Sequence, residues 1–304
     1  MAGVETEVCF HLPQKMALDI IVVNYNSGPH LTNCLESLFR QKNALVFGIT
    51  VVDNGSGDGS LEQARRRYPD IRYLRNPCNR GFAAGVNQAL EQGRAEYALL
   101  VNPDVVVLPG APQRMLDFME RTPRCGVLGG EILDKVGRYQ PTARRFPTYF
   151  NMIFGRRSLL RRFLPNNPGS RRYLYLDLDR QRPQKVDFLE GSLLMLRRRA
   201  LVETGRFDED FFLYLEDADL CRRMAERDWE TWWLPKAYAI HFRGETYRRD
   251  NIRPMRHHSR SIYQYFLKHQ HPPALLRLGL NTLLWIRYAY ILGTEFAKKE
   301  FLCS

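Results

Sequence analysis

Three groups of acidic side chains in this 304-residue chain stand where an apolar run ends. The first is Asp104, reached through Leu99-Leu100-Val101-Asn102-Pro103. Proline has no N–H and a fixed φ, so a strand ladder stops there. Asp104 is expected at the carboxyl end of a buried strand, where open α/β sheets place ligands. An acid in that position can equally cap the element that follows. The second is Asp53, which closes the run Ile49 to Val52 and opens Asn54-Gly55-Ser56-Gly57-Asp58-Gly59-Ser60. Its carboxylate can accept hydrogen bonds from a nucleobase or ribose, or form an Asx turn with the Asn54-Gly55 corner. The third is Glu216-Asp217-Ala218-Asp219, which follows the aromatic run Phe211 to Leu215. One or two acids there suit the positive end of a helix dipole. Three carboxylates so close together point further, to a site with perturbed ionisation. His241 ends an apolar run near the last of these, a place where a lone histidine is ordinarily structural.

The elements that must carry these groups alternate. Leu18 to Val23 reads as a buried strand, broken by the turn cluster Asn24-Tyr25-Asn26-Ser27-Gly28-Pro29. Leu31, Cys34, Leu35, Leu38 and Phe39 fall on one face of a helix. Strands follow at Ile49–Val52, Ile71–Leu74 and Tyr97–Val101, separated by helices ending near Tyr68 and Gln92. A helix near Pro112–Arg121 and a strand near Val127–Leu128 continue the pattern, and Val186 to Leu196 reads as an extended segment around Gly191. Thr231–Pro235 and Ala237–His241 read as two strands. This alternation predicts an α/β fold with a mainly parallel central sheet flanked by helices. The dinucleotide fingerprint G-x-G-x-x-G is absent after the first strand, where Tyr25-Asn26-Ser27-Gly28-Pro29 stands instead.

Composition is that of a globular protein, 44% hydrophobic and 26% charged. Residues 1–140 carry 15 Lys+Arg and 15 Asp+Glu, so the whole excess of +12 lies in 141–304. A basic half suits nucleic acid, an anionic membrane surface or a phosphorylated substrate. Nucleic acid fits least, because the arginines of Arg144 to Arg172 are interleaved with large apolar residues and no recognition motif accompanies them. The six cysteines show no C-x-x-C pair, which favours a reducing cytoplasm. Met1 to Lys15 carries Glu5 and Glu7 and no long apolar run, so residues 1–16 are expected to be a disordered extension rather than a secretory signal. No uncharged stretch reaches the ~20 residues of a membrane span.

Taken in order, Ile21-Val22-Val23-Asn24-Tyr25-Asn26, Val51-Val52-Asp53-Asn54-Gly55-Ser56, Asn79-Arg80-Gly81-Phe82-Ala83, Asn102-Pro103-Asp104, Glu190-Gly191-Ser192, Phe211 to Leu220 and His241 resemble the family 2 glycosyltransferases, particularly rhamnosyltransferase-like members that extend cell-surface glycans. The resemblance covers about residues 18–243. It implies a GT-A fold and inverting transfer of a sugar, such as rhamnose or a related hexose, from a dTDP- or UDP-linked donor to a glycan or polyprenyl-diphosphate-linked acceptor. It implies a nucleotide-sugar-binding half at 17–140, an acceptor-binding and catalytic half at 141–250, and a C-terminal helical segment at 251–304. Tyr25, Asn26, Asp53, Arg80, Gly81, Asn102 and Asp104 would then bind the donor. Asp217 would be the general base, with Glu190, Gly191 and Glu216 at the acceptor. Asp104 would hold a divalent metal, Mg²⁺ or Mn²⁺, on the diphosphate, with His241 a further metal or phosphate contact. The residue types agree, since displacement at an anomeric carbon needs a carboxylate to take the acceptor's proton and positive charge to neutralise the departing diphosphate. Many relatives carry Asp-x-Asp where this chain has Asn102-Pro103-Asp104, so a single anionic ligand remains.

Two other classes share this pattern. A sugar-nucleotide transferase would show a glycine-rich, lysine-bearing loop after the first strand, which Tyr25-Asn26-Ser27-Gly28-Pro29 does not supply. A non-catalytic nucleotide- or glycan-binding protein of the same fold would be expected to lack Asp104 and Asp217. Phe154–Leu164 and Leu275–Leu292 are candidates for the inner face of a membrane, with Trp285, Tyr288 and Tyr290 at headgroup depth. The plainer expectation for Leu275–Leu292 is a C-terminal helix packed on the core.

Overall fold

A computed structural model describes residues 18–41, 46–149, 167–242 and 252–302. The expected N-terminal extension and the Phe154–Leu164 segment lie outside these residues. The strands are β1 (Leu18–Asn24), β2 (Phe47–Asp53), β3 (Arg72–Arg75), β4 (Tyr97–Val101), β5 (Val105–Val107), β6 (Cys125–Leu133), β7 (Ala143–Arg144), β8 (Gln184–Lys185), β9 (Phe188–Leu189), β10 (Leu193–Arg197) and β11 (Glu230–His241). The helices are α1 (His30–Phe39), α2 (Ser60–Arg67), α3 (Phe82–Gln92), α4 (Ala111–Arg121), α5 (Pro168–Tyr173), α6 (Arg198–Thr204), α7 (Glu216–Ala225), α8 (Ile252–Gln270) and α9 (Ala274–Leu302).

The main sheet runs β3-β2-β1-β4-β10-β6-β11-β5, with β8 beside β11; β7 and β9 form a separate pair. Strands β3, β2, β1 and β4 are parallel, and β11 is parallel to β6. β10 is antiparallel to both of its neighbours, so it sits as a reversed strand between β4 and β6. β1 is buried over its whole length because both faces of the sheet are covered. Its side chains alternate: Leu18, Ile20 and Val22 join the core beneath α1 and α4, while Ile21 and Val23 join the core beneath α3, α6 and α7. The order of strands reverses at β1, with β2 on one side and β4 on the other. In open α/β sheets the crevice at the carboxyl ends of such neighbours receives ligands.

The two strands expected at 231–235 and 237–241 are one strand, β11. Pro235 cannot donate to a ladder, and the register against β6 shifts between Trp233 and Tyr238, with Lys236 at φ +62°. The Lys236 N–H turns out to donate to Glu131 Oε2 at 3.1 Å, and buried Glu131 is also held by Arg180. The extended segment at 186–196 is likewise divided: β9 and β10 are separate strands joined through Glu190-Gly191-Ser192. Arg144, which opens the basic stretch, is buried rather than solvated, and donates to Glu190 Oε1 at 2.7 Å. At the far end of β10, buried Arg197 donates to the carbonyls of Met119 and Thr122 at the end of α4 and to Cys125 O, supplying positive charge at a helix C-terminus.

α8 and α9 pack as a pair through Ile262, Phe266, Leu280 and Leu284, with Leu215 against the cluster. The C-terminal helix α9 therefore packs on α8 through one face. Leu275, Leu276, Leu278, Leu283, Trp285 and Ile286 of the same helix stay exposed.

Candidate active site

The carboxyl ends of β1 and β2 are tied together by buried amides. Asn24 and Asp53 are cross-strand partners, and Asn24 Nδ2 donates to Asp53 Oδ1 at 2.7 Å. The same amide reaches the hydroxyls of Ser56 and Ser60 at 3.1 and 3.0 Å, and its oxygen accepts from Ser27 Oγ. Asp53 Oδ2 accepts from the Ser56 N–H at 3.0 Å. Asp53 is wholly buried and shapes the glycine-rich loop from within, its carboxylate accepting from the N–H three residues on rather than two as in the Asx turn read from the sequence. The exposed residue Asn26, at φ +49°, completes the lacing: its N–H donates to Ser56 Oγ at 2.9 Å and its Oδ1 accepts from Gly57 N–H at 2.9 Å. Tyr25, beside it, is half-buried.

A second link runs from the loops after β2 and β3 toward α7. Asn54 Nδ2 donates to Gly81 O at 2.9 Å, and Asn54 Oδ1 accepts from Asn76 at 2.9 Å. Gly81 has φ +90°, and a Cβ there would stand 2.5 Å from Phe212 O. Only glycine permits that approach, and it lets the Phe82 N–H donate to Phe212 O at 2.9 Å. Arg80 is exposed and faces Glu209 at 3.9 Å. Phe212 opens the loop whose last two residues, Tyr214 and Leu215, have φ +71° and +67° immediately before α7. Non-glycine residues hold that conformation only where surrounding contacts over-determine it, as at functional sites.

A third link closes the circuit. Asn102 N–H donates to Ser192 O at 3.1 Å, and the Gly191 N–H donates to Asp217 Oδ2 at 3.0 Å. Asp104 and His241 meet at 3.3 Å because β5 pairs with the end of β11, His241 opposite Val105. Both are nine-tenths buried as side chains, or nearly so. Cys34 lies behind this pair, its Sγ 3.5 Å from Asn102 O. Burial, aided by the Asp104 charge, pushes its thiol well above the ordinary range, so it offers no thiolate. Among the described residues no three His, Cys, Asp or Glu side chains form a metal cluster. An ion held by Asp104 and His241 would need further oxygens, which a diphosphate can supply.

The three acids of α7 have three different fates. Burial pushes the Asp217 carboxyl up to about 7, with the Glu190 charge acting in the same sense and the Ala218 and Gly191 N–H groups opposing. Burial, then the charges of Asp217 and Asp219, raise Glu216 well above the carboxylate range. Its Oε2 is buried without a hydrogen-bond partner. The pair therefore holds a proton near neutrality, shared between its two carboxyl groups. Asp219 is no part of this chemistry. Burial alone would raise it, but His269, Arg223 and Lys268 hold it down at about 2. Their donor atoms lie at 2.8, 2.9 and 2.8 Å. Sequence pattern could not separate these roles, because two of the three partners of Asp219 lie some fifty residues downstream. Asn24, Asn54 and Asn76 were also missed as organisers of the site; an asparagine just past an apolar run was the one signal.

The mostly parallel sheet, with its loops gathered at one carboxyl edge and continued by a reversed strand, is the GT-A fold seen in two solved glycosyltransferases. The same architecture occurs in a mannosyltransferase from Pyrobaculum calidifontis solved with GDP-Man and Mn²⁺, at TM-score 0.56 and 14% identity, covering 93% of this chain and 80% of that one. It occurs also in GalNAc-T7 solved with UDP, GalNAc and Mn²⁺, at TM-score 0.58 and 13% identity, covering 75% of this chain and 44% of that one. The family model for glycosyl transferase family 2 matches residues 19–205. The N-acetylglucosaminyl-diphospho-decaprenol L-rhamnosyltransferase of Mycobacterium tuberculosis is 35% identical over 266 residues, 84% of this chain and 85% of that protein. Rhamnosyltransferase WbbL of Escherichia coli is 22% identical over 257 residues, 82% of this chain and 92% of that protein. The chain belongs to glycosyl transferase family 2.

Proposed function

We propose that the protein transfers rhamnose, with inversion, from a nucleoside diphosphate to an amino-sugar-diphosphate-polyprenol acceptor at the cytoplasmic face of a membrane, in cell-surface polysaccharide synthesis. The sugar and the lipid-linked acceptor are those of the mycobacterial relative, an N-acetylglucosaminyl-diphospho-decaprenol L-rhamnosyltransferase. The observation that carries the chemistry is Asp217, poised near neutrality and held by the Gly191 N–H at the rim of the loops. A base tuned to the working pH has both the correct ionisation and the driving force to take a hydroxyl proton. Asp217 accepts the acceptor proton as the sugar is displaced, and protonated Glu216 beside it can donate to an acceptor oxygen without repelling the developing charge. Tyr25, Asn26 and the loop shaped by Asp53 receive the base and ribose, with Asn102 beneath the diphosphate. Asp104 and His241 would hold a Mg²⁺ or Mn²⁺ ion that offsets diphosphate charge when bound. Turnover of dTDP-rhamnose with a polyprenyl-diphosphate-linked N-acetylglucosamine, measured beside UDP-glucose and GDP-mannose, tests the reading. Faster transfer from either of the other donors would replace rhamnose, and donor binding without transfer would leave a binding protein.

The metal has its own expected result. With one carboxylate and one imidazole from the chain, calorimetry should register weak Mn²⁺ binding by the free protein and tighter binding once nucleoside diphosphate is present. Equal affinity in both states would mean that the diphosphate is not among the ligands.

A further inference from the structure

The second face of α9 has no protein partner among the described residues. Leu275, Leu276, Leu278, Leu283, Trp285 and Ile286 are 53–82% exposed. At 3.6 residues per turn they occupy one half of the helix surface, opposite Leu280 and Leu284, which are buried against α8. Only Gly279 and Thr282 interrupt them. Apolar patches of this extent mark a docking surface. Charge selects the occupant. α8 and α9 together carry eight Lys+Arg against two Asp+Glu, which matches anionic headgroups. Trp285, with the Tyr288 ring 6.0 Å away, supplies the aromatic pair that favours headgroup depth. No described helix is long and apolar enough to cross a membrane, so the helix would lie in the interface.

α8, against which α9 packs, grips the loop before Asp217. Ser261 Oγ donates to Leu213 O at 2.9 Å, His257 stacks on Phe212 at 4.3 Å, and His258 meets Tyr214 edge-on at 5.3 Å. Lys268 and His269 hold Asp219 one turn of helix beyond. We propose that the exposed face of α9 docks in the surface of an anionic bilayer and, through α8, holds the Asp217 loop at that surface. This rests on the lipid-linked acceptor of the function proposed above, and it names the part of the chain that meets the lipid.

Full-length protein is mixed with vesicles of phosphatidylglycerol and phosphatidylcholine, or of phosphatidylcholine alone. Expected are at least tenfold tighter binding to the anionic vesicles, release by 0.5 M salt, and quenching of tryptophan emission by acyl-brominated lipid that Trp285→Phe abolishes. The double variant Leu278→Glu, Ile286→Glu changes only exposed positions. It should keep its circular dichroism and its turnover on a water-soluble, short-prenyl acceptor while losing vesicle binding at least tenfold. Unchanged vesicle binding by that variant overturns the proposal. So does an absence of vesicle binding by the native chain, including the case where sedimentation shows a dimer that the variant dissociates, which assigns the face to a second copy. Lipid binding as expected with no sugar transfer to any acceptor supports the docking face and removes the proposed function alone.

Discussion

Asp217→Asn should lower turnover by about 10²–10⁴ while donor binding, read by calorimetry, stays close to that of the native protein. The asparagine keeps an oxygen for the Gly191 N–H but cannot take a proton. The native enzyme should in turn show a rate that falls about tenfold per pH unit below the Asp217 pKa of about 7 and levels off above it, because the active form is the deprotonated one. In Asp217→Asn that limb should vanish. Near-native turnover in the variant would transfer the base to Glu216, since Asp219 is already held by Arg223, Lys268 and His269.

Asp219→Asn should produce the largest loss of stability among single changes in α7. Asp219 has no exposed surface and is met by Arg223, Lys268 and His269. Removing the one wholly buried carboxylate from an ionic cluster costs about 3–5 kcal/mol. The sign with pH follows from the depressed carboxyl. Its pKa falls from 3.8 to about 2 on folding, so the stabilisation is complete above pH 4 and disappears as pH drops through 2. It amounts to about 2 kcal/mol. Urea midpoints measured from pH 6 down to pH 2 should decline less steeply in the variant than in the native chain. Parallel curves would place the acid sensitivity elsewhere.

How far the sequence was legible follows the range of each signal. β1, β2 and β4 were readable because a strand buried on both faces is a short unbroken apolar run, and Asp53 and Asp104 were readable as its ends. The pairing of Asp104 with His241 was expected from resemblance, but its cause, β5 lying against the end of β11, is a matter of register between segments 135 residues apart. The break at Pro235 looked like a strand end because composition shows the missing donor and not the buried Glu131 that rewards a bulge. Likewise the three acids of α7 look alike in a string of letters. Desolvation, an N–H from Gly191 and the side chains of Arg223, Lys268 and His269 set their ionisation in three different ways.

The reversed strand β10 has a consequence for how the chain is made. It is inserted between β4 and β6, yet Leu193 leaves the ribosome more than ninety residues after Val101. Throughout that interval β4 presents an unpaired, apolar edge through Leu99 and Leu100, the kind of edge that templates aggregation. The loops at the carboxyl ends of β1 and β2 therefore cannot mature as an independent early unit, and fragments ending before residue 193 should accumulate as aggregates where those reaching past Arg197 remain in solution. Chaperone demand should concentrate in that window of synthesis, ahead of the last hundred residues.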